Sequence, residues 1–256
     1  MKTLIAIPCY RCQNQIVRVL SALVHSKVYS EISEVMVIDN QSPDGTRDSV
    51  QEFLRQNSAA KKISLWLNDE NYGLGGSQKI AFDQAAKSGF EALVILHGDD
   101  QASVDDIETL LLALKADRGL AAVLGSRFMK GSRLEGYQKS RIWGNRILNF
   151  IFSLFCTRKT LDLGSGLNAF SLLNLQEIEI TKLDDGFTFN VDFLLSLYSK
   201  NLKLRFLPIL WRESDQSSNA RNFRVAFGML SQLFFWRFGF QKKPGHPIGS
   251  SQKISS

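Results

Sequence analysis

Cysteine is scarce in this chain. Cys9, Cys12 and Cys156 are three among 256 residues, too few for the disulfide framework of a small secreted domain. Cys9 and Cys12 have C-x-x-C spacing, but no second pair accompanies them, which argues against a zinc or redox centre. Also missing is an apolar run of about 20 residues, the length a bilayer-spanning helix needs. The opening "MKTLIAIPCY" has too short an apolar run for a signal peptide. Neither a Walker loop nor a dinucleotide-binding fingerprint stands in the right place. The Phe-rich segments lack interleaved basic stripes, which argues against nucleic acid as a partner. A reducing, cytoplasmic setting fits these absences.

What is present suits one sizeable domain with a real core, since 44% of the residues are hydrophobic. The net charge of +6 is unevenly placed. Residues 1–128 carry 13 Lys/Arg against 16 Asp/Glu, whereas residues 129–256 carry 18 against 9. The basic half faces either solvent or something anionic: a phosphate, a phospholipid surface or nucleic acid.

The first half alternates strand and helix patterns. Apolar, β-branched runs at Thr3–Pro8, Glu34–Asp39, Ile63–Asn68, Ala92–Leu96 and Ala121–Gly125 read as strands. Helical spacing covers Ile16–Val24, Thr46–Gln56, the segment from "NYGLGGS" to Lys87, and Val104–Lys115. This order predicts a mostly parallel sheet with helices on both faces. Ligands of such sheets sit outside the carboxyl ends of the strands. There the polar clusters collect: Pro8 to Tyr10, Asp39 and Asn40, Asn71 and Gly73, and His97 to Gln101. Each has a bland reading. "SPDGT" can be a turn, "GLGG" a loop before a helix, and "HGDDQ" a helix entry capped by Asp or Ser103. Their recurrence at successive strand ends favours a nucleotide-and-metal site.

The order "IPCY … VIDNQSPDGT … NYGLGG … LHGDDQ … GSRF … SGLNAF" resembles the family-2 glycosyltransferases, and within them the branch of polyprenyl-phosphate sugar synthases. The resemblance runs from about Lys2 to about Gly228 and implies a GT-A fold, a nucleotide-sugar donor and a divalent cation, Mg²⁺ or Mn²⁺. It assigns Pro8, Tyr10 and Asp39, with Asn71 and Gly73, to the donor. It makes "HGDDQ" the metal loop, with Asp99 and Gln101 as ligands and His97 where relatives commonly carry a first acid. A histidine suits Mn²⁺ better than Mg²⁺. Cys12 and Asn40 are further departures, since relatives often have acids there. Arg127 matches the arginine at an acceptor phosphate, and Arg141, Arg212, Ser217 and Ser218 are further acceptor-side candidates. Asp99 and Asp162 are the candidate catalytic acids, with Asp192 as an internal acid. A turn or cap role is the alternative for Asp162, and a solvated face for Arg141.

Two apolar segments edged with basic residues follow, Ser140 to Cys156 and Asn222 to Phe240. Each is expected to be an amphipathic helix, lying either in a membrane interface or in packing against the sheet or a homodimer partner. The expected organisation is a GT-A domain over 1–222, divided into a donor half (1–128) and an acceptor half (129–222). An apolar, basic helix over 223–240 and a disordered tail over 241–256 complete it. Three functions follow: sugar transfer from a nucleotide-sugar to a polyprenyl phosphate, metal-dependent and inverting, peripheral on the inner membrane face; transfer to a hydroxyl of a polysaccharide or glycolipid; or nucleotide-sugar binding without catalysis.

Overall fold

The computed structural model describes residues 1–213, 215, 222–240 and 245–255. The chain opens with β1 (Thr3–Cys9), α1 (Gln13–His25) and the short α2 (Val28–Glu31). Then come β2 (Glu34–Asp39), α3 (Thr46–Gln56), β3 (Ile63–Asn68), α4 (Gly73–Lys87), β4 (Ala92–Leu96), α5 (Asp106–Ala116) and β5 (Leu120–Ser126). The second half adds β6 (Arg133–Glu135), α6 (Lys139–Cys156), β7 (Leu167–Ser171), α7 (Phe189–Ser199), β8 (Lys203–Pro208), β9 (Leu210–Arg212), α8 (Asn222–Phe238) and β10 (Ser251–Ser255).

The main sheet has the strand order β10-β3-β2-β1-β4-β7-β5-β8. Strands β1 to β4 are mutually parallel, and β5 runs with β8. Between β4 and β5 lies β7, antiparallel to both, so β5 points the same way as β4. The carboxyl ends of β1, β2, β3, β4 and β5 therefore share one rim. A small second sheet, β6 beside β9, stands next to it.

Successive side chains of a strand point to opposite faces, and here both faces are buried. Ile5, Ile7, Val35, Val37, Val94 and Leu96 pack with α1, α3 and α5. Leu4, Ala6, Met36, Ile38, Leu93 and Ile95 pack with α4 and α7. On the second face Phe82, Phe170, Phe189 and Phe193 form a run of rings with centroids 5.0 to 5.9 Å apart. The near-continuous apolar strands follow directly from this two-sided burial.

The expectation of a disordered tail from 241 onward does not hold for 245–255. Ser251 to Ser255 pair antiparallel with β3 and close that edge of the sheet. A strand rich in Ser, Gln and Lys suits a sheet edge, where one side of the ladder faces water. Both expected amphipathic helices form, as α6 and α8, and they pack side by side. Among the described residues no helix is long and apolar enough to cross a membrane.

Candidate active site

The rim of the sheet collects most of the expected residues. Pro8 is buried at the end of β1, with half-buried Tyr10 just beyond it. Asp39 ends β2 and is buried; its Oδ1 accepts from the Ser42 amide at 3.2 Å. Burial pushes the Asp39 carboxyl above its ordinary range.

Asn40 does the local structural work. Its Nδ2 donates to Asn71 Oδ1 at 2.8 Å and to the Gly73 carbonyl at 3.3 Å. Its Oδ1 accepts from Asn68 Nδ2 and from the Tyr72 amide. An aspartate could not donate to Asn71 or Gly73, so the amide is what ties β2 to the "NYGLGG" loop. Gly73 has φ +73°, and a Cβ there would collide with the Asp185 carbonyl. The amides of Gly75 and Gly76 both donate to that same carbonyl, at 2.8 and 3.2 Å. This loop is thus not a ready phosphate cradle: the start of α4 is already capped by protein.

The "HGDDQ" loop leaves β4 at the centre of the rim. His97 donates its amide to Gly166 O at 2.9 Å, and a Cβ on Gly166 would lie 2.8 Å from the imidazole. Close approach of β7 therefore holds the ring. His97 Nε2 is buried and has no hydrogen-bond partner among the described residues. Burial lowers the His97 pKa, nearby Asp99 works against this, and Arg127 adds to it. The ring is accordingly neutral at pH 7. Burial likewise raises the Asp99 carboxyl above its ordinary value, with His97 opposing. Asp99 Oδ1 accepts the Gln101 amide at 3.2 Å.

The loop is braced from behind. Arg18 of α1 reaches Asp100 Oδ2 at 2.6 Å and Asp215 Oδ1 at 2.9 Å. The Arg212 amide donates to Gln101 O at 2.8 Å, and Ala102 bridges to Trp211. Cys9 and Cys12 are buried beneath Gly98, where a Cβ would lie 2.5 Å from Cys9 Sγ. Burial drives the Cys9 thiol well above its ordinary value, so it is a packing residue rather than a nucleophile.

Among the described residues there is no cluster of three or more His, Cys, Asp and Glu that could hold a metal by itself. The donors present still fit a cation bound together with a diphosphate. Mg²⁺ and Mn²⁺ take one or two protein ligands and draw the rest from phosphate and water. An unpartnered, neutral, buried imidazole nitrogen beside a carboxylate is a suitable donor pair.

Each arginine expected at an acceptor phosphate already has a carboxylate partner. Arg127 donates from Nε and Nη2 to both oxygens of Asp162, at 2.9 and 2.7 Å, and its own amide adds a third contact at 2.8 Å. Its guanidinium also lies over the Phe128 and Trp211 rings, 5.0 and 4.9 Å from their centroids. Burial works to lower the Arg127 pKa, but Asp162 outweighs it and the net shift is upward. Arg141 Nη1 reaches both oxygens of Glu213 at 2.8 and 2.7 Å and lies over Tyr137. Arg212 pairs with Glu135 at 3.1 Å. Asp192 accepts from the Asp184 amide at 2.9 Å. Ser217 and Ser218 lie outside the described residues.

A family model described as "Glycosyl transferase family 2" matches residues 4–177. The chain belongs to glycosyl transferase family 2. It is a glycosyltransferase with a GT-A fold. It is 23% identical over 242 residues to the polyprenol monophosphomannose synthase of Mycolicibacterium smegmatis, covering 91% of this chain and 89% of that one. It is 24% identical over 220 residues to the undecaprenyl-phosphate mannosyltransferase of Micrococcus luteus, covering 84% and 85%. Among solved structures, a mannosyltransferase from Pyrobaculum calidifontis in complex with GDP-Man and Mn²⁺ superposes with TM-score 0.65 at 17% identity. That match covers 95% of this chain and 66% of that one. Glucosyl-3-phosphoglycerate synthase from Mycobacterium tuberculosis in complex with UDP gives TM-score 0.64 at 14% identity, covering 94% and 81%.

Two elements of the site escaped sequence reasoning. One is Arg18, whose partners lie 82 and 197 residues away. The other is the Asp185 loop that caps α4; its signal in the sequence is the glycines at 73, 75 and 76, where a Cβ would collide with that loop or with Tyr72.

Proposed function

We propose that this family-2 enzyme transfers a hexose from a nucleotide-sugar to a polyprenyl phosphate at a membrane surface, with inversion at the anomeric carbon. The observation that carries the reading is the outer face of α6 and α8. Trp143, Ile147, Phe150 and Leu154 recur at helical spacing on α6, and Phe227, Leu230, Phe234 and Phe238 do so on α8. Both stripes are exposed, Phe150 by 68% and Phe227 by 75%. Paired helices leaving Phe and Trp in water, with Arg146, Arg224 and Arg237 among them, suit insertion into a headgroup layer. Arg141 stands on that same α6 and links the apolar face to the acceptor end. The relatives named as acting on polyprenol and undecaprenyl phosphate point the same way.

The chemistry needs little of the protein as a base. A lipid phosphate is already an anion and attacks without losing a proton. Transfer to a hydroxyl needs a general base, and the two candidates for it already have partners: Asp162 accepts from Arg127 and Gly164, Asp192 from Asp184. Asp99, His97 and Gln101 would hold a divalent cation, which would stabilise the charge of the departing diphosphate. Pro8, Tyr10, Asp39, Asn71 and Gly73 would line the donor. Arg127 and Arg141 would meet the acceptor phosphate, which then competes with Asp162 and Glu213 for the guanidinium forks. The site would work from the cytoplasmic side of the membrane, where nucleotide-sugars are made. Incubation with labelled nucleotide-sugars and polyprenyl phosphate tests the reading. Label in an organic-extractable, mild-acid-labile lipid supports it; label on a hydroxyl acceptor, or donor binding without turnover, overturns it.

A further inference from the structure

Residues 245–255 lie as a strap across the donor loop. At one end Lys79, whose side chain is fully buried on α4, donates to Asp185 Oδ1 at 2.6 Å, Thr181 O at 3.1 Å and His246 O at 3.3 Å. Asp185 Oδ2 in turn accepts from the His246 amide and contacts His246 Nδ1, both at 2.8 Å. The Asp185 carbonyl is the group that caps α4 through Gly75 and Gly76. At the other end Gly249 packs against the Tyr72 ring, where a Cβ would collide with the ring carbons. Ser250 donates its amide to Tyr72 Oη at 3.3 Å, accepts the Asp69 amide at 3.2 Å and bonds the Asp69 carboxylate through Oγ. Tyr72 Oη also bonds Asp69. Beyond this point β10 continues along β3 from Ser251, opposite Asn68.

The loop from Asp69 to Gly73 is therefore gripped from two sides. Asn40 holds Asn71, Tyr72 and Gly73 from the sheet, and the strap holds Asp69 and Tyr72 from outside. A loop held on one side only would have to give up conformational entropy when a ligand ordered it. With both sides held, that ordering is already complete.

We propose that the 245–255 strap is a positioning element of the donor site: it preorders Asn71 and Gly73, so that affinity for the nucleotide part of the donor depends on Gly249, Ser250 and Tyr72. This rests on the reading of Asn71 and Gly73 as donor contacts. The contacts that carry it form one connected set from Lys79 to Ser250.

The test uses the full chain with Gly249→Val and Tyr72→Phe, and Lys253→Ala on β10 as control. Hydrogen exchange at the Tyr72 and Gly73 amides reports loop order without reference to activity. Calorimetry with GDP and UDP reports donor-site affinity, and steady-state assays separate donor KM from kcat. Gly249→Val is expected to speed exchange at those two amides, to weaken nucleoside diphosphate binding about tenfold, and to leave kcat within about twofold. Tyr72→Phe, which keeps the ring, should do the same to a smaller degree, and Lys253→Ala should do neither. Exchange that quickens while nucleotide affinity and donor KM stay unchanged overturns the proposal, as does exchange that does not quicken. A parent chain that binds no nucleoside diphosphate would sink the functional reading instead, and the exchange result would still decide whether the strap orders the loop.

Discussion

Arg127 and Asp162 grip each other by both prongs of the guanidinium, and Asp162 takes the Arg127 amide as well. The pair is almost fully buried, with side-chain exposures of 13% and 2%. Asp162 is therefore the counter-charge that lets an arginine stand at the end of β5. Removing it leaves a buried cation uncompensated, which costs about 3–5 kcal/mol. Asp162→Ala should accordingly lower unfolding stability by that amount in urea titrations. Arg127→Lys keeps the charge but loses the fork, and should weaken lipid-phosphate use by about 1.5–3 kcal/mol while nucleotide affinity holds. Donor affinity that collapses while acceptor KM stays put would move Arg127 to the donor site.

The "HGDDQ" loop, proposed above to hold the cation, yields a second prediction. Asp99→Ala should reduce turnover on the order of a hundredfold or more while the far-ultraviolet dichroism and melting curve stay near those of the parent. His97→Asp supplies an oxygen ligand in place of the buried imidazole. It should stay active and shift preference from Mn²⁺ towards Mg²⁺. Metal affinity can be read independently of turnover by electron paramagnetic resonance of bound Mn²⁺. Unchanged Mn²⁺ binding in both variants would dissociate these residues from the cation.

Acid should act on Asp185. Burial works to raise its carboxyl pKa, but the bonds from Lys79 and His246 outweigh this and the folded value lies below the ordinary one. A carboxylate depressed in the folded state stabilises above its unfolded pKa, near 3.9, and the stabilisation is lost as pH falls through the folded value. Asp185→Asn should therefore melt at a lower temperature than the parent at pH 7. The gap should shrink as the pH is taken below about 4. A gap independent of pH would mean that the ion pair with Lys79 contributes nothing through charge.

Much of this molecule can be read from its residues, and the limits are physical. Strands β1 to β5 carry apolar side chains on both faces, so their runs stand out, and helices α1, α3 and α5 follow by spacing. The insertion of β7 between β4 and β5 is not visible, because direction and partner are long-range properties that alternation does not encode. Nor is β10 visible: its Ser, Gln and Lys have tail-like composition, and it becomes a strand only because the β3 edge is there to pair with. The clusters at the strand ends located the candidate site. Their pairings were hidden, since Arg127 and Asp162 are 35 residues apart and Arg141 and Glu213 are 72.

The final prediction concerns the face of α6 and α8. Water meets Trp143, Phe150, Phe227 and Phe234 there, and burying a Phe side chain is worth roughly 1.5–3 kcal/mol. If this face enters a headgroup layer, Phe150→Ser together with Phe234→Ser should cut binding to anionic vesicles by a factor on the order of a hundred or more. Raised salt should weaken the parent further, because the flanking arginines act through a screened surface potential. Soluble-nucleotide affinity should be untouched, since both side chains stand exposed on α6 and α8 and neither is among the residues proposed to line the donor. A face that instead joins two copies of the chain would respond differently. The double variant would then convert a dimer to a monomer in sedimentation without any change in vesicle binding, and membrane insertion would be excluded.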